Sequence, residues 1–317
     1  MLRQISTRIS WRYIFFINVP VGIIALFLVY KYMPDHASEH KRPLDVLGFI
    51  LFGSGTALLS WLLEVFGEHT LAPMTALAVL GVSLGLLVAY AIHASDAQFP
   101  LLRLGLFRIR TFRIAVLGGF VTRMGFGGLP FLLPLLYQVG MGLPAWKSGL
   151  LMMPSAIAAM GMKLFSQQLL KRFGYRQILI VNTMFIGVTI ATFSLVDSST
   201  PLAAIAALGL MQGFFASMQF SSMNSLAYAD IDARDSSMAS TMSSSFQQLS
   251  MSFGLAAGSL VAGWYLGNVV QADPALVTNA LHHAFLTLGV ITAASSLLFW
   301  RLKPNDGESI SRGVITQ

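Results

Sequence analysis

Cysteine is absent from the 317-residue sequence, and charged residues are scarce. The absence of cysteine excludes disulfides, thiolate metal sites and cysteine nucleophiles. Only 10% of the residues are charged, whereas a soluble domain carries charge at about a quarter of its positions. Hydrophobic residues make up 55% of the chain, and the mean hydropathy is +0.70. We therefore expect an all-α integral membrane protein whose main partner is the lipid bilayer.

The motifs of common enzyme classes are also missing. The sequence holds no phosphate-cradling glycine loop, HExxH helix or GxSxG elbow, so nothing indicates ATP hydrolysis. His282 and His283 stand side by side without a nearby carboxylate, and we interpret them as interfacial residues. We expect no enzyme activity, no cofactor and no metal. The net charge of +7 does not indicate a nucleic-acid partner, because the basic residues are scattered between apolar runs.

Long apolar segments recur along the chain. Because a transmembrane helix needs about 20 mostly apolar residues, these segments predict about nine spans. The first is too long for the apolar core of a signal peptide, and no cleavage site follows it. The predicted spans are residues 13–33, 45–66, 73–94, 113–138, 147–169, 177–196, 201–227, 237–266 and 281–300.

The basic residues are distributed unevenly between the predicted loops. One set of alternate loops, together with the C-terminal tail, holds almost all of them, whereas the opposite loops between spans hold only Lys147. Because basic loops stay in the cytoplasm, this asymmetry predicts a cytoplasmic C-terminus. Arg3, Arg8 and Arg12 would then lie outside, which predicts that further spans precede this segment in the intact protein. The cytoplasmic set is Lys31, Lys41, Arg42, Arg103, Arg108, Arg110, Arg113, Lys171, Arg172, Arg176, Arg234, Arg301, Lys303 and Arg312.

Several motifs carry a family resemblance. Residues 10–22, SWRYIFFINVPVG, closely resemble the opening of the sixth span in fourteen-span drug:proton antiporters. These antiporters are the EmrB/QacA-like branch of the major facilitator superfamily. Residues 42–48, RPLDVLG, resemble the start of that branch's seventh span. Four further motifs are similar to a multidrug-resistance member of the branch: FRIRTF at 107–112, MGMK at 160–163, RFGYR at 172–176 and FSSMN at 220–224.

The resemblance implies a helical bundle of the major facilitator superfamily, divided into four parts. Residues 1–33 would form the last span of the N-terminal bundle, and residues 34–100 two linker spans. Residues 101–303 would form the complete six-span C-terminal bundle, and residues 304–317 a cytoplasmic tail. The family's first five spans would be missing. Because these transporters bind substrate between two halves that rock against each other, we expect the chain to be inactive unless another polypeptide supplies the rest.

The function implied by the resemblance is secondary active transport, with drug:proton antiport and multidrug efflux across the bacterial inner membrane. The substrate would be a small lipophilic or charged molecule, and the proton gradient would drive its export. No carboxylate lies at membrane depth in the predicted C-terminal bundle, so the coupling group would belong to the missing half. Two alternatives stay open: a non-transporting protein that binds or modulates a transporter half, and an exporter of metabolites such as organic acids.

Polar residues within the spans are the candidates for a substrate cavity, because burying them in hydrocarbon is costly. Arg123 lies near the middle of the fourth span, and its alternative role is a structural arginine bonded to backbone carbonyls. Gln212 and Gln219 are seven residues apart and so share a helical face. The alternative for these polar groups is interhelical hydrogen bonding. The cavity candidates are Arg123, Gln212, Gln219, Asn224, Gln247 and Gln248.

The turn between the fifth and sixth spans resembles the second-half copy of the superfamily's cytoplasmic loop motif. The resemblance implies that this turn helps to hold the inward gate. The acidic loop at 230–235 is a candidate partner for its cations. The alternative is ordinary positive-inside charge, and Asp235 also suits the cap of the following helix. The gating candidates are Lys171, Arg172, Gly174, Arg176, Asp232 and Asp235.

Overall fold

The computed structural model describes residue 16 and residues 18–32, 45–66, 72–97, 100–266 and 274–307. Within these residues the regular structure is entirely helical, as predicted. The chain divides into two compact units, Met1–Pro43 and Leu44–Gln317. In the first unit, the helix α1 (Asn18–Tyr32) carries part of the predicted span 13–33, and its apolar side chains are exposed. The rest of that span, and the motif at 10–22 before residue 16, lie outside the described residues.

The second unit consists of long apolar helices. Seven helical segments of the described chain are long and apolar enough to cross a membrane. The predicted linker spans and the predicted C-terminal bundle lie together in this unit, and their division into domains stays a prediction. The helices are α2 (Val46–Phe66), α3 (Pro73–Asp96), α4 (Arg110–Phe126), α5 (Leu129–Leu135), α6 (Ala145–Thr192), α7 (Leu202–Ala227), α8 (Ser236–Leu266) and α9 (Pro274–Ser295).

Helix α6 is a hairpin of two spans. A straight helix of its 48 residues would be about 72 Å long, more than twice the thickness of the hydrocarbon layer. Gly174 interrupts it with φ of +75°, a left-handed conformation that glycine adopts without strain. The break separates residues 145–173 from residues 175–192, which correspond to the fifth and sixth predicted spans.

Contacts with α7 show that the two halves of α6 run in opposite directions. The first half of α6 runs parallel to α7. Gly209 lies against the Leu151 carbonyl, and eight residues later in both helices Ser217 Oγ donates to the Ala159 carbonyl at 2.8 Å. In the second half the order is reversed. Tyr175, just after the break, bonds Ser225 near the end of α7 at 2.7 Å, whereas Asn182 donates to the Phe215 carbonyl at 2.8 Å.

Glycines allow α8 to approach the junction of α4 and α5 closely. A Cβ on Gly254 would lie 2.7 Å from the Cα of Gly127, and a Cβ on Gly258 would lie 2.9 Å from the Cα of Gly128. The spacing Gly254-x-x-x-Gly258 places both glycines on one face of α8, as in many closely packed membrane helices. This contact fixes the position of α8 against α4 and α5 in the helical bundle of the second unit.

Ion pairs tie together the basic loops at one end of the bundle. Arg103, before α4, donates to both oxygens of Asp235, before α8, at 2.9 Å. Arg110 pairs with Asp306, which also caps the Lys303 N–H at 2.8 Å. The loops before α4 and α8 and the segment after α9, which the charge pattern assigned to the cytoplasm, therefore lie at one end of the second unit. The side of the membrane that this end faces stays a prediction.

Asp45 joins α2, α3 and the loop before α4. Its carboxylate accepts the Gly48 N–H at 2.8 Å and the Leu101 N–H at 3.0 Å, and it lies 2.8 Å from Nε2 of His93. Burial alone would raise the pKa of the Asp45 carboxyl, but these hydrogen bonds lower that pKa below its ordinary value. The carboxylate is therefore charged at neutral pH and holds the linker helices together at this end.

Candidate substrate cavity

A cavity of about 300 Å³ lies between four segments of the second unit. Phe126 and Pro130 contribute the wall from α4 and α5, and Ser155 lies on the first half of α6. Gln212 faces the cavity from α7, and Met251 faces it from α8. The remaining lining is mainly apolar, which suits a small lipophilic ligand that is oriented by a few polar groups.

Gln212 is the polar group of this cavity that lacks a partner. Its side chain is only 6% exposed. Among the described residues, neither Oε1 nor Nε2 of this amide has a hydrogen-bond partner. Leaving a buried amide unsatisfied costs about 1–3 kcal/mol. The described protein therefore leaves the Gln212 amide in the cavity wall without a hydrogen bond.

Gln219 has a different role, although it lies on the same face of α7. Its Oε1 accepts from Nδ2 of Asn182 at 2.8 Å, and its Nε2 donates to Oγ1 of Thr183 at 2.6 Å. Both partners lie on the second half of α6. These hydrogen bonds join the two helices, which is the alternative that the sequence left open for this residue.

Arg123 is a buried cation on α4, with only 5% of its surface exposed. Its guanidinium carbon lies 5.2 Å from the ring centroid of Phe220 on α7, a cation–π arrangement. None of the ion pairs among the described residues includes Arg123. Nor does its guanidinium hydrogen-bond to a backbone carbonyl within that part of the chain. The residue does not line the cavity, but it lies one turn before Phe126, which does.

The remaining cavity candidates lie on the exposed face of α8 and at the end of α7. Gln248 is exposed, Gln247 is half-buried, and Asn224 is half-buried in the last turn of α7. Gln248 belongs to an exposed stripe that includes Ser244 and ends at Met251, which lines the cavity. Glutamine is costly in contact with lipid. We therefore expect this face of α8 to contact water or another bundle.

The gating candidates are distributed over two separate places. Lys171, Arg172 and Arg176 flank Gly174 at the α6 break, and Arg172 lies over the Phe173 ring at 5.4 Å.

Asp235, which belongs to the acidic loop named as a candidate partner of this turn, binds Arg103 instead. The reason is that α8 packs against α4, whose preceding loop carries Arg103. Asp232, in the loop before α8 that also holds Asp235, is exposed. A role of the turn in gating stays a prediction.

Sequence reasoning missed the contribution of the C-terminal residues to this end of the bundle. Residues 304–317 were expected to form a tail, yet Asp306 pairs with Arg110, and Gly307 packs on the ring of Tyr175. The positive φ of +83° at Gly307 allows the close approach. A single acidic residue among basic ones at 301–306 was the available signal, but sequence alone does not identify its partner.

Comparisons with known proteins agree with the motifs. The family model described as Major Facilitator Superfamily matches residues 4–255. The chain is 33% identical over 297 residues to MdtD of Escherichia coli strain K12, a protein that carries multidrug resistance in its name. It is 34% identical over 301 residues to MdtD of Salmonella paratyphi A. Each alignment covers 94% of this chain and 63% of the relative, so the chain spans less than two thirds of the length of these curated relatives.

Proposed function

This chain belongs to the major facilitator superfamily, a family of multi-pass membrane transporters, and we propose that it supplies the C-terminal bundle of a drug:proton antiporter in the bacterial inner membrane. The observation that carries the proposal is the cavity between α4, α6, α7 and α8, with the unpaired amide of Gln212 in its wall. Its second wall would come from an N-terminal bundle, because transporters of this kind bind substrate between two halves.

The chemistry of the cavity favours lipophilic substrates of varied shape. Phe126 and Leu133 give it an apolar wall, and Met152 and Met251 add flexible, polarizable side chains. Methionine-rich surfaces adapt to several ligands because the side chain is unbranched. A substrate held here would satisfy Gln212 without an ion pair.

Coupling to protons would depend on the other bundle. Within residues 100–307, the described carboxylates lie outside the helices α4 to α9. A proton-coupled exporter needs a protonatable group on its transport path. We therefore infer that an N-terminal bundle, supplied by another polypeptide or by further spans, carries the coupling carboxylate.

Ethidium accumulation in a pump-deficient bacterium tests the proposal. The chain is expressed alone and, separately, joined behind the N-terminal segment of E. coli MdtD that it does not cover. We expect the joined protein to lower ethidium accumulation, and a protonophore to abolish that effect. The chain expressed alone should leave ethidium accumulation at the level of pump-deficient cells that carry the empty vector. If the joined protein reaches the membrane without changing ethidium accumulation, drug antiport is the wrong activity.

A second candidate is the export of organic acids, favoured by Arg123. This buried cation has no carboxylate partner among the described residues, and an anionic substrate would neutralise it. Loss of a labelled organic acid from the same cells would support this candidate, provided that ethidium accumulation did not change. A non-transporting modulator predicts no change in either measurement.

The two glutamines of α7 should respond differently to substitution. Gln212→Leu removes an amide that has no partner, so we expect little loss of stability but a changed set of exported drugs. Gln219→Leu removes the hydrogen bonds to Asn182 and Thr183 that join α7 to the second half of α6, and it should cost about 1–2 kcal/mol. Thermal unfolding in detergent and a panel of drug susceptibilities would measure both effects in the joined protein. Equal destabilisation by the two variants would contradict the assigned roles.

A further inference from the structure

An apolar groove lies on the outside of the bundle, between the two halves of α6 and α7. It encloses about 240 Å³, and none of its residues belongs to the substrate cavity. Four phenylalanines line it, two of which, Phe185 and Phe215, stack with ring centroids 5.1 Å apart. Phe173 is 44% exposed, and Phe185 is 47% exposed. The groove therefore presents a partly open aromatic surface.

A second, more polar cavity of about 340 Å³ adjoins this groove towards the basic end of the bundle. The two share Phe173, Gln177 and Val181, so they form one continuous surface. Arg176, Ile180 and Pro304 complete the second cavity. One end of this surface is thus aromatic and apolar, and the other end carries a guanidinium.

Arg176 has hydrogen-bonding capacity that the described protein does not satisfy. Its Nε is buried and has no acceptor among the described residues, and none of the ion pairs there includes it. Arg172 and Lys171 lie nearby on the same turn and are exposed. Arg176 therefore lines the second cavity, and the guanidinium of Arg172 lies over the ring of Phe173 beside it, without a described carboxylate bound to either cation. A guanidinium of this kind is suited to bidentate recognition of a phosphate.

We propose that this surface binds one anionic phospholipid. Its phosphate contacts Arg176 in the polar cavity, and an acyl chain lies along the aromatic groove past Phe185. The ligand must carry a negative charge at one end and an apolar chain at the other, because one end of the surface holds the Arg176 guanidinium and the other end is aromatic and apolar. Basic pockets between helix ends at the membrane surface have the chemistry to bind such headgroups. The site would be occupied by bilayer lipid rather than by exported drug, since it shares no residue with the substrate cavity.

Native mass spectrometry of the full chain in detergent tests this assignment. The purified protein is titrated with palmitoyl-oleoyl phosphatidylglycerol or with the matching phosphatidylcholine. We expect the anionic lipid to stay bound with higher affinity than the zwitterionic lipid. Arg176→Gln should weaken phosphatidylglycerol binding about tenfold, the effect of losing a charged hydrogen bond. Phosphatidylcholine binding should change little.

Two further variants keep the result interpretable. Arg234→Gln removes the same charge from an exposed residue in the loop before α8, and it should leave phosphatidylglycerol binding unchanged. Gln177→Glu preserves side-chain size and keeps Arg176, but places a negative charge at the junction of the groove and the polar cavity, so it should weaken the anionic lipid selectively. Equal binding of both lipids by the unmodified chain would overturn the proposal. Equal losses in Arg176→Gln and Arg234→Gln would also overturn it, because they would show general charge attraction.

Discussion

Gly254→Val should separate α8 from α4 and destabilise the bundle by about 3 kcal/mol or more. A Cβ at this position would lie 2.7 Å from the Cα of Gly127 and 2.6 Å from the carbonyl oxygen of Arg123. Both neighbours are backbone atoms, so no side chain can rotate away. Overpacking of a close-packed interior costs about 1–3 kcal/mol, and more where backbone must move. We expect a lower midpoint of thermal unfolding, measured by size-exclusion chromatography of heated detergent samples.

Gly161→Val is the matched control for this substitution. Gly161 lies on the first half of α6, and a Cβ there would meet nothing within 4 Å. The same change of side chain should therefore leave the unfolding midpoint nearly unchanged. If both variants have the same unfolding midpoint as the unmodified chain, the close approach of α8 to the junction of α4 and α5 is not part of the stable structure.

The helices were largely predictable from the sequence, because a lipid-facing span requires a long apolar segment whatever its neighbours are. The last span shows where this reasoning failed. Hydropathy placed its start at residue 281, but α9 begins at Pro274. Thr278 and Asn279 lower the hydropathy of that turn. In the structure, the Thr278 hydroxyl donates to the Pro274 carbonyl at 2.9 Å, which satisfies it within the helix.

The roles of the polar residues were less predictable, because they depend on which helices are neighbours. The spacing of Gln212 and Gln219 is compatible both with a place in the cavity wall and with hydrogen bonds between helices. Only the position of the second half of α6 gives Gln219 its partners. The same holds for Arg103 and Asp235, which are 132 residues apart in sequence. Charge pattern predicted that their loops share one end of the bundle. It contained no information about which cation lies beside which carboxylate.

Arg123→Met should separate the contribution of this residue to transport from its contribution to stability. Methionine fills a similar volume and removes a buried charge that no described carboxylate neutralises. Replacing a buried charge by a well-packed apolar side chain is often neutral or stabilising. We therefore expect an unchanged or higher unfolding midpoint, together with at least about a tenfold loss of export, the effect of losing about 1.4 kcal/mol of interaction. Thermal unfolding and ethidium efflux of the joined protein would measure the two quantities.

The reason to expect a loss of export is that a buried cation requires a counter-charge at some stage of the transport cycle. The described part of this bundle provides Phe220, whose ring lies 5.2 Å from the guanidinium carbon, but no carboxylate. The counter-charge would then come from a facing bundle or from substrate. Phe220→Leu is the matched variant, because it keeps the cation and removes only the ring, so export should fall less than in Arg123→Met. Normal export by Arg123→Met would show that this cation has no transport role, and loss of its folding would support a structural arginine.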